Sequence, residues 1–470
     1  MTLESSRAPG VRVFRLTGPL YVYAAAEEFV LLYPVYALLF ADHGLSVAQI
    51  GSLFMLWSGV GLVSAVPAGA LADVVPRRYL LAAAPVFTAA AFLLWLLAPG
   101  YGAFAAGFVL WGLGGSLSSG SLEALVHDEL AHRGAADRYA RVMGVTRALG
   151  VAAVGAATLA AVPVMAWGGY AAVGAASVAV CAVCALAALF LPEHRAGAPA
   201  PAHADDGAPA DPGGVSDQVA GVLPAGPHRP GHPSAPAVPA VPVAAASPGT
   251  GPDGPVGSDD PDDPEDAEPA TLREYTAVLR AGLAEARHDR RVRGAIVLLI
   301  VVTSFWGMLD EYVPLLVSDH GVAPEAVPAV LAVVWAGVTV GGLLAGPASR
   351  LPARAFAVLP GAAAVAIAAG ALLGGAAGWV LLGAGFGVCQ AACVVADARL
   401  QDRITGSSRA TVTSVAGLGT DLVTTAAYPL YAAVFALTGH GWAFAVFAAP
   451  YLVAACVLGR GGRSARGGDG

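Results

Sequence analysis

Acidic residues stand inside apolar stretches of this chain, where a carboxylate is costly to place and is by default a working group. Glu27 and Glu28 lie in one such stretch, Asp310 and Glu311 in another, and Asp421 in a third. Asp421 shares one helix face with Ser414, Gly417, Thr424, Tyr428 and Tyr431 by their 3,4 spacing, which reads as the wall of a wet cavity. Asp310 shares a stripe with Thr303, Trp306 and Pro314. A carboxylate taken out of water favours its neutral form, so any of these acids can take up and release a proton as water access changes. Neighbours on a helix point about 100° apart, so at most one of Glu27 and Glu28 should face a cavity squarely. The competing reading is that these acids satisfy polar groups on adjacent helices. Glu123 and Arg147 fall at matching depths in consecutive apolar stretches, and an ion pair between them is expected.

Other reactive residue types form no constellation. Histidines such as His43, His127, His132, His194, His320 and His440 are scattered without ligand spacing. Cys181, Cys184, Cys389, Cys393 and Cys456 lie in apolar runs, where a thiol serves as a small packing residue. No nucleotide-binding loop occurs. No catalytic group, metal or cofactor is therefore expected, and a membrane enzyme or an ATP-driven pump is disfavoured.

The elements that must hold these acids follow from composition. Of 470 residues, 57% are hydrophobic and only 12% charged, and the mean hydropathy is +0.67; soluble domains run near 25% charged. Windows of about 19 residues give twelve spans. The first six are Leu16 to Phe40, Val47 to Leu71, Tyr79 to Ala98, Tyr101 to Leu125, Val142 to Ala166 and Gly169 to Leu191. The others are Gly294 to Val317, Ala326 to Ala345, Phe356 to Leu373, Ala376 to Ala396, Thr411 to Leu437 and Trp442 to Leu458. All basic residues are arginine, and every second connector, beginning with 41–46, has none, whereas the others and both tails do. Under the positive-inside rule both termini are cytoplasmic, in a multi-pass protein of the inner (plasma) membrane without a cleavable signal.

Residues 192–293 carry the whole formal net charge of −8. From 192 to 270 the Pro/Ala/Gly/Asp-rich composition predicts a disordered cytoplasmic linker. From 271 to 293, Leu272, Tyr275, Leu279 and Leu283 at helical spacing predict an amphipathic cytoplasmic helix. The flanking units are a six-helix bundle over 1–191, a second over 294–459 and a cytoplasmic tail over 460–470.

The two bundles resemble each other. A constant shift of 277 residues superposes Asp42-His43-Gly44 on Asp319-His320-Gly321, Ala68-Gly69 on Ala345-Gly346 and Arg77 on Arg354. A shift of 269 then carries Leu113-Gly114 onto Leu382-Gly383, and Val126 and Asp128 onto Val395 and Asp397. Parallel repeats of this kind place a substrate pathway between the halves near the bilayer midplane.

Between spans 2 and 3 the segment Gly69-Ala-Leu71-Ala72-Asp73-Val-Val-Pro76-Arg77-Arg78 resembles the signature loop of the major facilitator superfamily, Gly-x-Leu-Ala-Asp-x-x-Gly-Arg-Arg. Pro76 replaces the usual last glycine. The second copy keeps Gly346 and Arg354 but lacks the aspartate. The resemblance implies an all-α fold of two six-helix bundles in pseudo-twofold repeat and transport of a small organic solute by alternating access. It also implies a cytoplasmic gate in which Gly69 lets spans 2 and 11 approach, Asp73 faces the N-terminal end of span 11, and Arg77 or Arg78 pairs with an acid at the inner end of span 4. The Arg and Gly-Pro motifs of the family's drug exporters are missing from spans 4 and 5. Proton-coupled efflux is the favoured mode, with Glu27, Glu28, Asp310, Glu311, Asp421, Thr424, Tyr428 and Trp306 on the substrate and proton pathway. Uptake by symport or facilitated diffusion is the alternative, and a non-transporting receptor a further one. The expected partners are a small solute, protons and the lipid bilayer, with no nucleic acid, and the chain is expected to act as a monomer.

Overall fold

The computed structural model describes residues 9–194, 290–401 and 409–464. The predicted linker and amphipathic helix fall outside these residues, except for the last turn that opens span 7. Among the described residues all regular structure is helical.

In the first half, α1 (Pro9–Glu28) and α2 (Tyr36–Asp42) form span 1, α3 (Val47–Val74) span 2 and α4 (Arg77–Leu97) span 3. Span 4 is built from α5 (Tyr101–Ser118) and α6 (Ser121–His132), and α7 (Tyr139–Leu189) carries spans 5 and 6. A continuous α-helix advances about 1.5 Å per residue, so the 51 residues of α7 would overshoot a bilayer core of about 30 Å. The chain instead reverses at Gly168 and Gly169, whose φ of 59° at Gly169 suits glycine. In the second half α8 (Arg290–Asp310) and α9 (Val313–Asp319) make span 7 and α10 (Val327–Ser349) span 8. After the short α11 (Ala353–Phe356) come α12 (Val358–Leu373), α13 (Gly375–Gln401) and α14 (Arg409–Ser464), which turns at Gly439 into span 12. Seven of these helices are long and apolar enough to cross a membrane; α7 and α14 each supply two crossings, and α12 with the broken spans 1 and 4 completes twelve.

The internal repeat is visible in backbone geometry. Helices α2 and α9 are both seven residues long and are separated by the same 277-residue shift. Both end on a left-handed glycine, Gly44 (φ 84°) and Gly321 (φ 78°). In both, the preceding histidine turns back on its own helix: His43 Nδ1 lies 2.7 Å from the Leu39 carbonyl and His320 Nδ1 3.0 Å from that of Leu316.

The buried core is unequal at the two ends. Toward the arginine-free connectors, one apolar cluster takes side chains from both halves, including Tyr36, Phe54 and Phe108 with Tyr312, Tyr428 and Tyr431. Toward the arginine-rich connectors there are two separate clusters. One, around Leu16, Leu125 and Val142, belongs to the first half; the other, around Ile296, Leu400 and Val412, belongs to the second.

Candidate functional site

Spans 1 and 7 were expected as continuous helices, and both are broken beside their acids. In span 1 the helix stops at Glu28 and restarts at Tyr36. Pro34 brings no N–H donor to the segment between, and the freed Leu32 N–H is satisfied by Ser177 Oγ of span 6 at 2.9 Å. Span 7 breaks between Asp310 and Val313, with Pro314 in the first turn of α9. Non-helical backbone at membrane depth is tolerated where protein or a cavity surrounds it.

The first break borders a cavity of about 290 Å³ that lies within the first half and is closed on one side by Trp335 of the second. Glu27, Glu28, Tyr33 and Trp111 line it from the first half and Trp335 from the second. Both adjacent glutamates reach it, contrary to the expectation from helical spacing, because the helix ends at Glu28 and the space opens over its last turn. The Tyr23 hydroxyl donates to Glu27 at 3.1 Å. Glu28 lies against Gly150, where an added Cβ would stand 3.2 Å from its Cγ. Trp111 continues into an aromatic wall, parallel to Phe108 at 6.0 Å and packed against Trp57 and Phe92.

The second break meets the first through Tyr33, which also lines the cavity. Glu311 is buried and accepts hydrogen bonds from the hydroxyls of Tyr33, at 3.4 Å, and Tyr36. Both tyrosines belong to the other half, so this carboxylate ties spans 1 and 7 together. Around it Phe54 of span 2 packs against Tyr312 and Tyr428, with ring centroids 5.5 and 5.4 Å away. Tyr431 stacks on Tyr312 at 3.9 Å and shares a hydrogen bond with His440 at 2.8 Å. Gly51 brings the halves close together: a Cβ there would meet the Tyr312 hydroxyl at 2.8 Å.

The remaining predicted residues divide. Tyr428 is buried in the shared core rather than on a wet wall, while Asp421, seven residues earlier on the same face, is exposed. Thr424 lies between them, half-buried, and Trp306 packs edge-on against Phe386 outside the cavity lining. Asp310 is half-buried beside Glu311.

No ion pair joins Glu123 to Arg147 among the described residues. Span 4 is interrupted at Gly120, whose φ is 72°, and Glu123 becomes a first-turn residue of α6. There the exposed N–H groups of a helix start favour a carboxylate.

Arg77 pairs with Asp128 of α6 at 2.5 Å. Burial pushes the Asp128 carboxyl up, but hydrogen bonds from Arg77 and His127 outweigh it and hold the group below its ordinary value. The backbone N–H groups of Arg77 and Arg78 donate to the Glu193 carboxylate at 2.9 and 3.1 Å, so the end of span 6 caps the start of span 3. Asp73 is exposed, and a Cβ added at Gly69 or Gly346 would meet nothing within 4 Å. The close approach of spans 2 and 11 expected at Gly69 is thus not made here. The side chain of Arg354 lies outside the described residues.

Sequence reasoning did not single out Tyr33, Tyr36, Ser177 or Glu193 as working groups. The Tyr33-Pro34-Val35-Tyr36 spacing was the one available signal, two hydroxyls flanking a proline in an acid-bearing span.

No curated protein sequence is significantly similar to the chain. Among solved structures, an aspartate-to-alanine mutant of the nucleoside transporter NupG superposes with a TM-score of 0.66 at 12% identity, covering 94% of this chain and 98% of that one. The unmutated nucleoside transporter NupG gives 0.63 at 12% identity, with 95% and 98% covered. A D-xylose-proton symporter gives 0.56 at 12% identity, with 96% and 97% covered. These likenesses establish the fold. The family profile described as the Major Facilitator Superfamily matches residues 20–422, and with the twelve-span repeat and the signature loop in place, the chain belongs to that superfamily of membrane transporters.

Proposed function

We propose that this transporter is a proton-coupled exporter of a small organic solute, seen here open to the cytoplasm. The inward-open assignment is supported by the asymmetry of the core, one shared cluster at the arginine-free end and two separate ones at the arginine-rich end, and the proton coupling by the buried Glu311 between the halves. Assigning the arginine-rich connectors and both termini to the cytoplasm makes the cavity inward-facing. The Glu311, Tyr33 and Tyr36 hydrogen bonds then form the outer latch. Residues 192–270 act as a tether between the halves.

In this mechanism solute enters from the cytoplasm beside Glu27 and Glu28. A carboxylate under the latch is a stronger hydrogen-bond acceptor than its protonated form. A proton arriving at Glu311 therefore weakens the tie to Tyr33 and Tyr36 and lets the outer side open. Asp421, about 10 Å nearer the cytoplasm than Tyr428 at 1.5 Å per residue, passes protons between the vestibule and the buried acids. Run in the opposite direction, the same device would perform uptake, so the gradient dependence decides the direction.

Spin labels at Gly44→Cys and Gly321→Cys, on paired outer connectors, test alternating access in a background lacking the native cysteines. In lipid nanodiscs the distance between them should lengthen when Glu311 is replaced by Gln. A second pair, at Gly134→Cys and Arg350→Cys on the other side, should shorten in the same variant. Distances that stay fixed on both sides would refute the reading.

A further inference from the structure

The cavity has an electrostatic character that the fold does not require. Its lining residues include two carboxylates, three large aromatics and the hydroxyls of Thr88, Ser118 and Thr158, but no arginine or histidine. The chain has no lysine at all. The ion pairs of Arg77 and His127 with Asp128 and of Arg133 with Glu129 involve neither Glu27 nor Glu28. Two acids thus face one small space in which the hydrogen bond to Glu27 comes from a neutral donor, the Tyr23 hydroxyl.

We propose, building on the transporter reading above, that this cavity takes an aromatic organic cation, its ammonium group seated at Glu27 and Glu28 and its ring held among Tyr33, Trp111 and Trp335. Three physical arguments converge on that class. A carboxylate inside the bilayer is stabilised by a paired cation, and the protein supplies none in the cavity wall. Aromatic faces attract a cation seated within about 6 Å of the ring centroid. An anion would meet two like charges. The volume of about 290 Å³ sits at the lower end of ligand cavities, roughly 300–1,000 Å³, which suits one or two fused rings. Cation and proton would also compete for the same oxygens: as the ammonium arrives, a proton leaves a carboxyl for cavity water, which is an exchange in itself.

The test uses the full-length protein in nanodiscs and tritiated phenyltrimethylammonium, with a naphthylmethylammonium ion as a two-ring probe. At least one should bind saturably and be displaced by its unlabelled form, but not by tenfold higher tert-butylbenzene, the neutral isostere, or by benzoate. Binding should weaken at least tenfold in the Glu27→Gln/Glu28→Gln double variant and weaken as pH falls from 8 to 5.5. The single variants, each expected to lose threefold or more, decide the matter if the double variant does not fold. Absent binding of both probes, equal displacement by tert-butylbenzene, or unchanged affinity in the glutamine variants would overturn the proposal. If the spin labels move but no cation binds, the transporter reading stands and the substrate class falls. Bound cation with static labels would separate the two ideas the other way.

Discussion

Glu311 concentrates the mechanism at the scale of a single side chain. It is 8% exposed, and its two hydroxyl partners come from the opposite half. A hydrogen bond to a charged group contributes about 1.5–3 kcal/mol net. Removing one hydroxyl with Tyr36→Phe should therefore move the balance between the two conformations roughly ten- to a hundredfold toward outer opening. Tyr33→Phe, which loses the longer bond, should do less. The spin-label pair at Gly44 and Gly321 reads both, and an unchanged distance distribution in Tyr36→Phe would remove the latch from the mechanism. Asp421 invites a separate measurement. In everted vesicles, Asp421→Asn should slow substrate-dependent proton movement several-fold without changing solute affinity, because it stands outside the cavity lining. Proton movement at the normal rate would take it off the path.

Between helices, two pairs of glycines control the second half. Gly337 and Gly341 of α10 face Gly383 and Gly387 of α13, and a Cβ added at Gly341 would fall 1.9 Å from the Gly387 carbonyl oxygen. Backbones that close leave no room for a methyl, the usual reason for small residues at membrane helix contacts. Gly341→Ala should lower the unfolding midpoint by several degrees, whereas Gly69→Ala and Gly346→Ala, which meet open space, should leave it unchanged. If spans 2 and 11 do close at Gly69 in the opposite conformation, Gly69→Leu should trap the spin labels in the inward-open arrangement; free switching in that variant would disprove closure there. The twelve spans were legible because hydropathy integrates over about 20 residues and the arginines alternate. The breaks were not. Proline is tolerated within unbroken spans as well as at breaks, so Pro34 and Pro314 did not by themselves mark an interruption, and Gly120 was one glycine in a chain with 59. That missed break is why a Glu123 and Arg147 pair looked plausible. Gly69, Asp73, Arg77 and Arg78 were found by local pattern, but the Glu311 latch joins residues 278 and 275 positions apart, a proximity that no window can see.

Taken as a whole, the molecule is two halves that share a core at one end only, so their relative motion depends on contacts between spans. The Arg77 and Asp128 pair lies within the first half and is held below the ordinary carboxyl range, about 3.9 for aspartate. Its contribution is present above that range and is lost only as pH falls through the depressed value. Asp128 therefore stays ionised between pH 5 and 9, and Asp128→Asn should leave the pH profile in proteoliposomes unshifted; a displaced profile would contradict this. The 192–293 insert poses the last question at this scale. The packing that joins the halves, Glu311 on Tyr33 and Tyr36 and Phe54 on Tyr312 and Tyr428, needs no residue of the insert. The closure entropy of a loop changes only logarithmically with its length. Deleting residues 200–268 should thus leave solute transport in proteoliposomes at half the full-length rate or better. Transport lost with the spin-label distances intact would make the insert, rather than the cavity, the working part of a receptor.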